Sequence, residues 1–379
     1  MRVAMIYDFG VNKGGGDFVM INILQALSEK FDVSLVTSNA DGLKKAVIFF
    51  GKDVSDIDIK SVRIIHFIRP PYSVAYIARK AKEKYDLYVL SDDVPKYMND
   101  EKVVCYIHYP HAARFRFREY IAKKYKQTLS GRIMWWVHKR FFKVFYPVSE
   151  ISNNWLLIAN SKITRDHISR TFNLSCERVP VLNPPVASSD IASRLKSRSI
   201  EKEDLAVCVG RLEPEKKFEE AILAMKYLSN VRLSIMGFNH DEAYLNRLRQ
   251  LIRELRLKDR VELLVNAERN AVLDKLLQAK ALVHPVPHEP FGIAVVEAMA
   301  AGCIPIVRRG SNGPWMEITQ KGKYGLGFSS IRELVSALER AIKCYDSFKI
   351  EVITSKALEF DETVFRGKFL KVFEEYALK

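Results

Sequence analysis

The chain has 379 residues, 48% of them hydrophobic, and 60 Lys and Arg against 45 Asp and Glu, for a formal net charge of +15. That is enough apolar material for two cores, while no run reaches the roughly 18 apolar residues of a membrane-spanning helix and no leader pattern precedes the first strand, so a cytoplasmic protein is expected. Five cysteines (Cys105, Cys176, Cys208, Cys303, Cys344) lack any CxxC or Cys/His spacing, which argues against a metal or disulfide framework and for reduced core thiols.

In chain order, Val3 to Tyr7 reads as a strand, Asn12-Lys13-Gly14-Gly15-Gly16 as a loop, and Phe18, Ile21, Leu24 and Leu27 as the apolar face of a helix. Strand-like runs follow at Val33 to Val36, Val62 to Phe67, Leu87 to Leu90, Val103 to Ile107 and Trp155 to Ile158. Between Asn183 and Asp204 the Pro- and Ser-rich composition predicts a linker. Alternation then restarts with strands at Leu205 to Val209, Val231 to Met236, Val261 to Val265, Ala281 to His284 and Ile304 to Val307, with helices between. Two alternating series predict an α/β protein of two Rossmann-like domains with parallel sheets. The expected divisions are 1–185, 186–355, and a C-terminal helix at 356–379, carrying Phe365, Phe369 and Phe373 at four-residue spacing, that packs back on the first domain.

The richest chemistry lies in His288-Glu289-Pro290-Phe291-Gly292-Ile293-Ala294-Val295-Val296-Glu297-Ala298-Met299-Ala300-Ala301-Gly302. It reads as a loop opening a helix, because Pro is tolerated near a helix start. The unpaired amides of Phe291, Gly292 and Ile293 would then attract an anionic or hydroxylated ligand, with Glu289 ahead of the helix and Glu297 inside it. Upstream, Val207-Cys208-Val209-Gly210-Arg211-Leu212-Glu213-Pro214-Glu215-Lys216 brings Arg211 and Lys216 to a strand's carboxyl end, where open α/β sheets bind ligands and where cations can neutralise a departing diphosphate.

The Glu-Pro-Phe-Gly-Ile-x-x-x-Glu-Ala-Met-Ala-x-Gly string resembles the signature of glycosyltransferase family 4, whose members have the GT-B fold. The resemblance implies that Glu289 contacts sugar hydroxyls, that Phe291 to Ile293 contact sugar and phosphate, and that Glu297 holds the ribose. Arg211 and Lys216 match the family's Gly-Arg-Leu…Glu-Lys motif, although Lys217 stands where a small residue is usual. Gly14, Gly15 and Gly16 let backbone approach the donor, and GGGD lacks the spacing of a dinucleotide fingerprint. His108, ending the Tyr106-Ile107-His108 strand before Tyr109-Pro110, matches a histidine that lies beside the transferred sugar. Together with Ala159-Asn160-Ser161 and Ser311-Asn312-Gly313-Pro314, these motifs are similar to the dolichol-linked-oligosaccharide α-1,2-mannosyltransferase branch.

From Arg114 to Lys143 ten basic residues face one acid, Glu119, with aromatics interleaved, among them Trp135, Trp136, Phe141 and Phe142. That composition suits an anionic membrane surface, and no nucleic-acid motif accompanies it. The resemblance implies a retaining glycosyltransferase that moves a hexose from a nucleotide-sugar, GDP-mannose or a UDP-sugar, to a polyprenyl-linked glycan in a cleft between the domains. No cofactor is implied, nor a metal, since Asp56-Ile57-Asp58 lies in a charged surface-like segment. A nucleotide-sugar epimerase and a non-catalytic nucleotide-sugar-binding protein share the architecture.

Overall fold

The computed structural model describes residues 1–9, 14–63, 72–81, 85–113, 129–147, 150–197 and 200–378. They form two compact units, one of Met1–Asn183 with Phe365–Lys379 and the other of Pro184–Val364. Among the described residues each unit holds one six-stranded sheet, and every strand pairing is parallel.

In the first unit the strands are β1 (Arg2–Ile6), β2 (Asp32–Thr37), β3 (Asp58–Ser61), β4 (Leu87–Ser91), β5 (Val103–Ile107) and β6 (Trp155–Ala159), in the order β3-β2-β1-β4-β5-β6. Strands covered on both faces read as continuous apolar runs, and Val3, Ala4, Met5 and Ile6 are wholly buried. Residues 64–67 of the expected Val62 to Phe67 strand lie outside the described set, while a strand not expected from the sequence falls at Asp58–Ser61. It is an edge strand with all four residues exposed, so it carries no apolar pattern. Asp58 opens it at the amino end and accepts from the Ser34 hydroxyl at 2.8 Å. Among the described residues of this unit the helices are α1 (Gly15–Ser28), α2 (Ala40–Phe50), α3 (Tyr72–Ala81), α4 (Leu129–Phe145) and α5 (Lys162–Phe172). Phe365, Phe369 and Phe373, from the chain's last helix, are buried in the same core as Val3, Met5, Leu24 and Leu27.

The second unit begins with α6 (Ser188–Ser197), which occupies much of the span expected to be linker. Ile191 and Ala192 are buried, and Asp361 fixes its start by accepting from the Ser188 hydroxyl at 3.1 Å and the Ser189 amide at 2.8 Å. Then come β7 (Glu203–Val209), α7 (Phe218–Met225), β8 (Arg232–Gly237), α8 (Glu242–Glu254), β9 (Val261–Val265), α9 (Arg269–Gln278), β10 (Ala279–His284), α10 (Ile293–Ala300), β11 (Ile304–Arg308), β12 (Leu326–Phe328), α11 (Ile331–Lys343) and α12 (Ile350–Leu358), and the last helix, α13 (Glu362–Ala377), belongs from Phe365 onward to the first unit. Strand order is β12-β11-β10-β7-β8-β9, so β7 and β10 meet where the connections reverse direction. Open α/β sheets bind ligands beyond the carboxyl ends of such strands.

Cys105, Cys208 and Cys303 are buried thiols, but Cys176 and Cys344 are exposed, correcting the expectation of five core thiols. Among the described residues no helix is long and apolar enough to cross a membrane, and no group of three His, Cys, Asp or Glu is arranged to hold a metal.

Candidate functional site

Beyond β7 the chain turns at Gly210, whose amide donates to the Met236 carbonyl at 3.0 Å. A Cβ on Gly237 would meet the Gly210 carbonyl oxygen at 1.7 Å, so glycine at the end of β8 lets this turn form. The turn leads through a short 3-10 segment, Pro214–Lys216, to α7. Lys217 takes the left-handed conformation, φ 55°, and lies 3.8 Å from Glu219. Lys216 instead reaches Glu289, its Nζ donating to Oε2 at 2.7 Å with both side chains largely buried. This geometry separates the two adjacent lysines.

Glu289 stands in the loop between β10 and α10. Its carbonyl accepts from the Gly313 amide at 2.9 Å, and Gly292, φ 105°, turns the chain into the helix. A Cβ on Gly292 would come within 2.9 Å of the Pro314 ring, so the Glu-Pro-Phe-Gly and Ser-Asn-Gly-Pro loops pack on each other. Asn312 braces the second loop, donating to the Arg308 carbonyl at 3.0 Å and accepting from the Trp315 amide at 2.9 Å. No side chain caps α10 at Gly292, and its first amides have no intrahelical acceptors.

His284, the last residue of β10, is 3% exposed, and its Nε2 lies 3.6 Å from Glu289 Oε2. Burial would push the Glu289 carboxyl up, but the Lys216 ammonium and then His284 bring it well below the usual carboxylate range. Burial lowers the His284 imidazole, outweighing the pull of Glu289 in the other direction. The site thus holds an ion pair and a neutral ring.

Glu297, inside α10 and 7% exposed, pairs through Oε1 with Arg269 Nη2 at 2.5 Å. Arg211 is half-exposed and has Nη2 2.9 Å from Glu213 Oε1. Lys216, Glu289 and the turn at Phe291 to Ile293 are therefore brought together, whereas Arg211 and Glu297 each have another partner. His284 and Arg269 were not singled out in the sequence, where they read as the end of a strand and the start of a helix.

In the first unit, Gly14, Gly15 and Gly16 lie at the amino end of α1. Asp17 accepts from the Gly14 amide and from the Tyr7 hydroxyl, each at 3.1 Å. A Cβ on Gly16 would lie 3.5 Å from His108 Nε2, so the glycines and the histidine adjoin. Asp92, φ 66°, holds the histidine's backbone by accepting from the amides of His108 at 2.9 Å and Tyr109 at 3.1 Å. Of the basic-aromatic segment, residues 114–128 lie outside the described set and α4 carries the rest.

Two six-stranded parallel sheets, with cations, a carboxylate and a helix start at the switch point of the second, define a GT-B architecture. Residues 190–351 match the family described as Glycosyl transferases group 1. The chain is similar to the GDP-Man:Man(3)GlcNAc(2)-PP-Dol alpha-1,2-mannosyltransferase of Dictyostelium discoideum, at 28% identity over 308 residues, covering 71% of this chain and 58% of that protein. It is also similar to the O-antigen chain mannosyltransferase of Salmonella typhimurium, at 29% identity over 171 residues, 45% of this chain and 46% of that one. Solved structures share the fold at 17% identity and a TM-score of 0.69. They include Anabaena Alr3699/HepE with UDP and glucose, covering 99% of this chain and 100% of that one, and the lipopolysaccharide glycosyltransferase WaaG, covering 98% and 99%.

Proposed function

We propose that the protein is a retaining glycosyltransferase that moves mannose from GDP-mannose to a lipid-diphosphate-linked glycan at an anionic membrane surface. The observation that carries this reading is the buried Lys216–Glu289 pair, 2.7 Å long, beside an uncapped helix start at the sheet's switch point. Its motif resemblance and the names of the curated relatives support the donor and acceptor.

In this reading Glu289 receives sugar hydroxyls, and the amides of Phe291 to Ile293 receive sugar and diphosphate oxygens. Lys216 and Arg211 balance the charge that grows on the leaving diphosphate. Glu297 holds the ribose once Arg269 releases it, His108 positions a sugar, and Gly14 to Gly16 let backbone approach the donor. The C1–phosphate bond breaks as the acceptor oxygen bonds C1 on the same face, and the acceptor proton passes to the departing phosphate oxygen. No protein nucleophile is required.

The test is incubation with GDP-, UDP- and ADP-sugars plus a polyprenyl-diphosphate glycan, with the product's anomeric configuration read by NMR. Transfer of mannose with retention supports the reading. Recovery of an epimerised donor would make the protein an epimerase, and donor binding without turnover a nucleotide-sugar-binding protein.

A further inference from the structure

We propose that His284 is the positioning residue of Glu289, its Nε2–H holding Oε2 so that Oε1 is presented to the donor sugar when Lys216 turns to the diphosphate. This rests on the reading of Glu289 as the group that meets the sugar. Both known neighbours of the carboxylate sit on one oxygen, Lys216 Nζ at 2.7 Å and His284 Nε2 at 3.6 Å from Oε2. Among the described residues, Oε1 has no hydrogen-bond partner. A carboxylate held on one side and open on the other is prepared to accept a hydroxyl.

A packing histidine would not explain the position. The rest of β10 that is buried consists of Ala279, Ala281, Leu282 and Val283, and its partner at the level of His284 on β11 is Val307, so an aliphatic side chain suits this layer. A ring there leaves Nε2 buried without a hydrogen-bond partner, an arrangement that costs free energy unless something is gained. A contraction of a few tenths of an ångström would convert the 3.6 Å separation into a hydrogen bond.

Charge gives the division of labour between the two neighbours. With Lys216 and Glu289 paired, the site is neutral, and a protonated His284 would leave an uncompensated buried cation. Burial keeps the ring uncharged, so it can direct the carboxylate without competing with the diphosphate for Lys216. Glu289 lies in a loop rather than on a helix or strand, whereas His284 ends a central strand. The imidazole therefore ties the loop's reactive group to the rigid sheet.

Two variants and one spectroscopic measurement test this. His284→Leu fills the space without a donor, and His284→Gln keeps an N–H. Leu should lower kcat about tenfold or more, as removal of an orienting group does, with KM for GDP-mannose within about twofold, and Gln should recover most of the loss. Wild-type kcat in His284→Leu, or equal impairment in both variants, would overturn the assignment. Imidazole 15N NMR of the full chain decides the point even if mannose transfer fails and the functional reading falls. His284 should show a neutral Nε2–H tautomer whose resonance shifts in Glu289→Gln, whereas an imidazolium at neutral pH or an unmoved resonance would refute it.

Discussion

Gly313 is required for space, since its φ of −59° and ψ of −47° suit any residue. A Cβ there would lie 2.2 Å from the Pro290 carbonyl oxygen and 2.6 Å from Phe291 Cα. Both neighbours are backbone, so no rotamer relieves the overlap and the loop presenting Phe291 to Ile293 must move. Gly313→Ala should therefore cost the second unit about 1–3 kcal/mol and weaken nucleotide-sugar binding. Urea unfolding and donor titration check both, and unchanged values in both would contradict the packing. Glu289 carries a different prediction, because its folded-state carboxyl titrates below the unfolded one. Its contribution is present above the unfolded value of about 4.3 and is lost as pH falls from there toward the depressed folded value. The urea midpoint of the wild type should thus fall more steeply on acidification than that of Glu289→Gln; parallel curves would remove the claimed coupling. Glu289 and Lys216 were legible as motif members, whereas His284 and Arg269 were not. Their contacts join positions 5 and 28 residues away through the fold, and neither leaves a spacing signal.

Among the elements, α4 differs from the others in what it leaves uncovered. Of its 17 residues only Phe142 is buried, while Ile133, Met134, Trp136, Phe141 and Val144 are more than half exposed. Arg132, Lys139, Arg140 and Lys143 accompany them, and the helix contains no acid. Apolar side chains beside positive charge are what an anionic bilayer accommodates. Replacing Lys139, Arg140 and Lys143 with Gln should weaken binding to phosphatidylserine vesicles about a hundredfold, at about 1 kcal/mol per basic residue. Trp136→Ala with Phe141→Ala should weaken binding to neutral vesicles as well. Retention of vesicle binding by both variants would remove α4 from the membrane-facing role. The aromatic and basic pattern marked this segment in the sequence, but other elements lacked such a pattern. Helix α6 buries few apolar residues and so read as a polar linker. Strand β3 is wholly exposed, and β12 is a three-residue Leu-Gly-Phe segment, too short for alternation to register.

At the scale of the whole chain, the three buried clusters share no residue, so each unit has its own apolar reason to fold. Regular alternation of apolar strands and amphipathic helices made the central strands of both sheets legible, because parallel strands buried on both faces leave continuous runs in the sequence. The exception to chain order is the last helix. Phe365, Phe369, Leu370 and Phe373 are buried with β1 and α1 residues, and Phe373 lies 5.2 Å from Phe31, ring to ring. Each such side chain contributes about 1.5–3 kcal/mol on burial, and their sum is comparable to the 5–15 kcal/mol that typically holds a domain folded. Ending the chain after Val364 should therefore abolish or sharply lower the unfolding transition of the first unit. The second unit, whose core is complete without those residues, should keep its own. Hydrogen exchange resolved by peptide separates the two: β1 and α1 should lose protection while β7 and β10 retain it. Equal loss in both sheets would mean that the units fold as one, and protection kept in β1 would mean that the aromatic row contributes little to the first core.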